Sequence, residues 1–341
     1  MKHHRGGCRA LPPGVLMLMC AFGLMAQTPF QFPTANEALY QPGRELTFFA
    51  VTGPDKPWTS GSFGCVRDNG WRMHEGLDIR HLQTDRHGEP TDPVMATADG
   101  TVAYFSKKPG LSSYGNYVVL RHVVDGLEIY SLYGHLSQIQ PGLKIGNVVK
   151  GGEVIGTMGR TSSVGSIGKD RAHVHFELTL LINDNFAAWF KKNNPPRERN
   201  DHGEWNGQNL AGLDPREILL AERSGKFKLL DFVRGQTELC RVLVRATSFP
   251  YLKRYAGLVL KNPVAEKEGV AGYEIALNYN GVAFALLPRA ASEIKGGAKF
   301  QLLSVNEAVQ KANPCRKLVV KRGSRWQLTD KAIRELELLT Y

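Results

Sequence analysis

Between Ala172 and Leu180 the chain reads Ala-His-Val-His-Phe-Glu-Leu-Thr-Leu, polar and apolar residues in alternation. A period of two marks a half-buried β-strand, with Val174, Phe176 and Leu178 on one face and His173, His175 and Glu177 on the other. The two imidazoles then look into one cleft. Glu177 shares their face, placed either to fix an imidazole tautomer or to stand as an ordinary solvent-facing or salt-bridged residue. A second fragment, His74-Glu75-Gly76-Leu77-Asp78, offers a nitrogen and a carboxylate at an even separation, and Tyr133-Gly134-His135-Leu136 lies between the two. Each histidine alone reads as an ordinary surface or core residue, but the fragments together supply the donors of a catalytic zinc site, which takes three protein ligands and keeps one position open. Two ligands would come from the first fragment and one from the second. A helical H-E-x-x-H motif with its last ligand changed, Glu75 acting as base, is the rival arrangement. Gly76 would cost such a helix about 1 kcal/mol, and its flanks carry no helical period, so the extended arrangement is expected.

The order of short motifs resembles that of the lysostaphin-type (LytM-type) zinc metalloendopeptidases, which cut peptide cross-links in bacterial cell walls. The series runs from His74-x-x-x-Asp78 through Pro93-Val94-x-Ala96, Asp99-Gly100-x-Val102, Gly115-Asn116-Tyr-Val118 and Tyr133-x-His135-Leu136. It continues with Gly146-x-x-Val149-x-x-Gly152-x-x-Ile155-Gly156 and His173-x-His175-Phe176-Glu177, and Leu213-Asp214-Pro215 resembles the family's exit from the domain. The resemblance covers roughly Gly61 to Leu220. It implies that His74, Asp78 and His175 bind Zn2+ and that His135 and His173 are catalytic without binding metal. In that chemistry zinc makes water a nucleophile near neutral pH, one imidazole moves its proton to the leaving amine, and another stabilises the oxyanion. Which histidine takes which part is open at this level. Three departures stand out: Val174 where Leu is commoner, Ala172 where Pro is common, and a long, charged stretch Arg160–Arg171 expected to line the substrate groove. His81, His87, His122 and His202 are read as surface or structural.

Residues 1–26 read as a signal peptide. Lys2, Arg5 and Arg9 precede the apolar run Val15–Ala26, which is too short for an easy membrane span. Cys20 follows Met19, a poor context for lipidation. Export, to the periplasm, the cell wall or the medium, is expected, with no membrane span once the leader is cleaved. The net charge of +11 falls to +8 without the leader. Such a chain is drawn to anionic wall polymers, while nucleic acid is not an expected partner of an exported protein without a nucleic-acid motif. Of the cysteines beyond the leader, Cys240 and Cys315 are the expected disulfide pair, leaving Cys65 as a lone thiol.

The length accommodates a lead-in segment 27–60, a metal-site domain 61–222 and an accessory domain 223–341 of unassigned role. The expected fold is mainly β: an antiparallel distorted barrel or sandwich, of the duplicated hybrid-motif type that the resemblance implies, followed by a smaller α+β or β-rich module. Hairpins are expected across Asp99-Gly100, joining Val94–Thr97 to Thr101–Phe105, and across Asp125-Gly126, joining Tyr117–Arg121 to Leu127–Tyr133. Another is expected across Asn280-Gly281, and a helix after Thr329 with Ile333, Leu336 and Leu339 near one face. The long insertion from Ile182 to Gly207 offers Trp189, Phe190 and Trp205 either as a groove rim or as a surface excursion packing on itself. The function expected is zinc-dependent hydrolysis of peptidoglycan stem-peptide cross-links, the alternative being a non-catalytic wall-binding or hydrolase-activating protein on the same fold.

Overall fold

Antiparallel pairing dominates the computed structural model, which describes residues 1, 30–165 and 167–341. The leader features, including Cys8 and Cys20, lie outside the described residues. After α1 (Glu45–Phe48) come β1 (Gly64–Arg67), β2 (Arg72–His74), β3 (Leu77–Arg80), β4 (Pro93–Met95), β5 (Gly100–Ser106), β6 (Tyr117–Val124) and β7 (Leu127–Gly134). Then follow β8 (Gln138–Ile139), β9 (Val148–Val149), β10 (Val154–Thr157), β11 (His173–Leu181), α2 (Phe186–Asn193), β12 (Leu210–Leu213) and α3 (Pro215–Glu222). The principal sheet has the order β12-β11-β7-β6-β5-β9, with β3 on β11 as well. The fold is mainly β, as expected, built from several open antiparallel sheets.

β11 is buried along its whole length on both faces, more deeply than a half-buried strand. One edge pairs with β7. The other pairs first with β3, from His173↔Arg80 to Phe176↔Leu77, and then with β12, from Leu178↔Leu213 onward. The 117–134 hairpin forms as expected, Asp125 and Gly126 both taking positive φ at its turn (51° and 75°). The Asp99-Gly100 hairpin does not form. β4 pairs with β10, while β5 pairs with β6 and β9. Asp99 is tied instead to other segments: its carboxylate accepts from Gly151 N at 2.9 Å and Lys150 Nζ at 2.8 Å, and its carbonyl accepts from His122 Nδ1 at 2.8 Å.

The remainder comprises α4 (Leu229–Arg234), β13 (Glu238–Val244), α5 (Pro250–Arg254), α6 (Pro263–Glu268), β14 (Gly272–Asn278), β15 (Ala283–Arg289), β16 (Phe300–Val305), α7 (Glu307–Ala312), β17 (Val319–Arg322), β18 (Arg325–Leu328) and α8 (Asp330–Leu339). Its sheet has the order β15-β14-β13-β16. The Asn280-Gly281 hairpin and the Thr329-capped helix are both present, with Leu336 and Leu339 buried. One apolar cluster runs through both parts of the chain, containing Leu213 and Ile218 together with Val242 and Leu286. Polar contacts cross as well: Asn280 Nδ2 donates to Gly212 O and Asn183 Nδ2 to Leu338 O, each at 2.8 Å.

The expected Cys240–Cys315 pairing is wrong. Cys65 of β1 bonds Cys315, their Cα atoms 5.4 Å apart, and Cys240 is a buried free thiol. Cys240 lies in β13, between Leu277 of β14 and Val305 of β16, so its backbone is locked inside the sheet. The segment carrying Cys315, just ahead of β17, comes down on β1 instead.

Closing 250 residues of sequence separation is worth about 5–6 kcal/mol in the chain-entropy account. The Cys65→Ser, Cys315→Ser double variant should therefore lose several kcal/mol of stability, measurable as a drop in the denaturation midpoint. A second expectation concerns acid. His122 is buried against Asp99 and Ser131, and burial pushes its imidazole down to about 4. Because its folded value lies below the ordinary 6.5, the unfolded chain binds the extra proton. Its contribution is intact above pH 6.5 and is lost as pH falls toward 4, about 3 kcal/mol in all. His122→Gln should show a correspondingly flatter decline of stability between pH 7 and pH 4.

Candidate metal centre

Three of the predicted residues converge on one point. His74 ends β2, Asp78 is the second residue of β3, and His175 stands opposite Asp78 in the β3–β11 ladder. His74 Nε2, Asp78 Oδ1 and His175 Nδ1 are 3.0, 3.0 and 3.2 Å apart pairwise. All three residues are buried. Such spacing suits zinc, whose nitrogen and oxygen bonds of about 2.0–2.2 Å put tetrahedral ligands about 3.4 Å from one another. The helical alternative is excluded, since β2 and β3 are strands broken at Glu75-Gly76. Gly76 is required there: a Cβ on it would sit 2.3 Å from Phe176 O.

Each inward atom is set by what the outer atom touches. His74 Nδ1 donates to Ser62 O at 2.7 Å, leaving Nε2 to face the cluster. Arg67 Nη2 holds Asp78 Oδ2 at 2.5 Å, leaving Oδ1 for the cluster. Glu177 Oε1 lies 2.9 Å from His175 Nε2, which makes it the tautomer-fixing partner that its strand face allowed. Burial would raise the Asp78 carboxyl, but His173, His74 and the hydrogen bonds from the imidazoles hold it well below the usual range. Burial would lower His175, yet Asp78 and Glu177 carry it up to about 10. Two carboxylates around one imidazole create a demand for positive charge that a proton or a divalent cation can satisfy.

His135 and His173 stand beside the three donors, their ring centroids 4.8 Å apart. His173 Nδ1 donates to Arg171 O at 2.6 Å, and its Nε2 is 3.4 Å from Asp78 Oδ1. His135 Nδ1 donates to Thr161 O at 2.8 Å, so its Nε2 is unprotonated and available. Burial first, then the neighbouring His173 and His175, push His135 down to about 3. His135 also has positive φ, 61°, a conformation that non-glycine residues adopt only when their surroundings impose it. Its own N–H bond to Tyr114 O, at 2.6 Å, is one such constraint.

The donors and both further histidines line a cleft of about 580 Å³. The Arg160–Arg171 stretch contributes Ile167 and Arg171 to its wall, as expected of a groove-lining segment. The aromatic residues of the insertion do not. Trp189 and Phe190 pack with Phe186 and Leu338, and Trp205 packs on Tyr130, so the apolar side chains turn inward. The polar residues around them, His202, Asn206, Gly207 and Gln208, form the wall. His202 is therefore structural and cleft-lining at once, with Nδ1 3.0 Å from Tyr104 Oη. Sequence reasoning missed Arg67, Tyr114 and Arg316. Tyr114 is half-buried beside His175, and desolvation with the Glu177 carboxylate raises its phenol well above the ordinary value, which keeps it a donor. Its position directly before Gly115-Asn116 was the one signal available.

Residues 72–186 match the model of peptidase family M23. This chain carries an M23 peptidase domain. Among curated relatives, the DD-carboxypeptidase/endopeptidase Mpg of Neisseria meningitidis serogroup B is 40% identical over 110 residues, 32% of this chain and 21% of that protein. The lipoprotein NlpD/LppB homolog of Pseudomonas aeruginosa is 34% identical over 130 residues, 38% of this chain and 36% of that one. The match thus spans about a fifth to a third of these relatives. Similar solved structures include the catalytic domain of lysostaphin from Staphylococcus simulans, at 21% identity and TM-score 0.29, covering 47% of this chain and 87% of that one. A zinc-containing peptidase from Vibrio cholerae aligns at 26% identity and TM-score 0.28 over 44% of this chain and 36% of that one. His74, Asp78, His135, His173 and His175 all fall inside the matched span.

Glu177→Gln removes the charge behind His175 without changing its shape, and zinc affinity should fall about 10- to 100-fold. Competition against a chelating dye measures it, with the folded spectrum unchanged.

Proposed function

We propose that this chain is an exported zinc metalloendopeptidase that hydrolyses peptide cross-links of bacterial peptidoglycan. The observation that carries the reading is the completeness of the site: three donors within 3.2 Å of one another, flanked by two imidazoles that each present Nε2 to the same cleft. A protein that only binds wall polymer has no use for that second pair. The wall substrate and the envelope location draw support from the relatives' names, a carboxypeptidase/endopeptidase and a lipoprotein, and from the leader's charge and hydropathy pattern.

His74, Asp78 and His175 would hold the zinc. The ion supplies Lewis-acid activation of water and of the peptide carbonyl. His135, neutral at working pH because it is partly desolvated and stands among other imidazoles, has one nitrogen committed to Thr161 O and one free to take up a proton and deliver it to the leaving amine. His173, fixed through Arg171 O, presents its Nε2 beside Asp78 and shares proton transfer and oxyanion stabilisation with His135. Arg67 and Glu177 keep the ligand set oriented, and residues 223–341 act as an accessory unit closing the cleft from the side of Arg316.

His175→Ala should lose zinc and wall-clearing activity together. His135→Ala should retain stoichiometric zinc and lose about 100-fold or more in turnover. Atomic spectroscopy of the purified variants and a turbidity assay on isolated sacculi separate the two outcomes. Purified parent protein without zinc, clearing walls equally well with and without a chelator, would remove the enzyme reading.

A further inference from the structure

Four arginines line the cleft, and three are already engaged with carboxylates. Arg67 holds Asp78 at 2.5 Å, Arg72 holds Asp68 at 2.6 Å, and Arg316 holds Glu335 at 2.8 Å. Arg171 differs. Its Nε donates to Val51 O at 3.2 Å, and among the described residues no carboxylate pairs with its guanidinium. It ends the short turn Lys169–Arg171 that leads into β11, so the strand presents Arg171, His173, His175 and Glu177 in that order. Glu75, which also lines the cleft without an ion pair among the described residues, precedes Gly76, and Gly76 packs on Phe176 O near the other end of the series. An unpaired guanidinium thus stands beyond His173, whereas the Glu75 carboxylate beyond His175 has Arg72, Arg316 and Lys331 around it.

We infer that Arg171 binds a free carboxylate on the substrate residue that departs with the amine. The substrates of this site are then peptides whose scissile nitrogen is attached to a carbon bearing a carboxylate. The inference rests on the peptidase function proposed above and narrows its substrate class. The side is set by the proton path: the leaving nitrogen receives its proton from an imidazole, and His135 stands closer to His173, 4.8 Å between centroids, than to His175, 6.0 Å. The proton carriers thus lie toward Arg171. A guanidinium fork binds a carboxylate through two parallel hydrogen bonds, which ties recognition to the position of the group as well as its charge. A glycine bridge offers no carboxylate at that carbon. A chain-terminal amino acid does, and so does a diamino acid cross-linked through one amino group with the adjacent carboxylate free, so one recognition element serves both trimming and cross-link opening.

The test uses the zinc-loaded full chain, an acyl-D-alanyl-D-alanine peptide and its C-terminal amide. Calorimetric titration is done in the His135→Ala background to suppress turnover. The acid should bind at least 10-fold more tightly than the amide, Arg171→Gln should abolish that difference by weakening the acid alone, and Arg171→Lys should restore part of it. Equal binding of acid and amide without the Arg171 change, or a preference that survives Arg171→Gln, overturns the inference. So does an equal loss on both ligands. In the His135-intact protein, KM for the acid should rise at least 10-fold in Arg171→Gln, with little change on an amidated substrate. If that protein cleaves neither peptide nor muropeptides while the Arg171-dependent preference in binding persists, the peptidase reading falls and the carboxylate site stands.

Discussion

Asp78, His175 and Gly134 stand abreast in adjacent strands, and the site depends on that row. Side chains in a ladder alternate faces, so a slip of one residue in either pairing would turn His175 away from Asp78 or carry His135 to the wrong level. What prevents the slip is burial. β11 is covered on both faces, and its apolar residues Val174, Phe176 and Leu178 are fully enclosed, so only one register satisfies both the core and the ladder. The three candidate donors are thus placed by hydrophobic packing one side chain away, and the cost of gathering charged groups is met by the core beneath them.

The site was legible in the sequence to the extent that it is local or periodic. The His-x-His face of β11 and the position of Glu177 follow from a period of two, and the Asp125-Gly126 and Asn280-Gly281 turns follow from residues that tolerate positive φ. Depth was not legible: the alternation in β11 suggests one exposed face, whereas both are buried, the polar side lying against His74, Asp78 and Tyr114. Strand partners were not legible where the chain turns a corner. Asp99-Gly100 has the composition of a hairpin turn, but its carboxylate and carbonyl are tied to Gly151, Lys150 and His122. Nor could residue types alone reveal Arg67 or the Cys65–Cys315 bond, since both join segments whose proximity is a product of the folded sheets. The insertion misled for the opposite reason. Its aromatics were the conspicuous residues, yet they went to the core and left the polar ones to face the cleft.

The part of the chain after residue 222 carries no chemical motif of its own, and the structure gives it a physical role. Its core is continuous with that of the M23 domain, and Arg316 reaches the cleft beside residues of the insertion. Cleft shape is therefore a joint property of segments more than a hundred residues apart, and the last helix and the β14–β15 turn are tied to the insertion and to β12 through Asn183, Trp189 and Asn280.

The Cys65–Cys315 bond also makes a covalent ring of everything between those two residues, including every histidine and aspartate of the site. A single backbone cut anywhere inside the ring leaves the fragments tethered. The exposed stretch near Pro195–Arg199 is the natural target for a neighbouring protease. A molecule nicked there keeps its halves at high effective concentration and can hold its ladders together, so a single cut need not disperse the site.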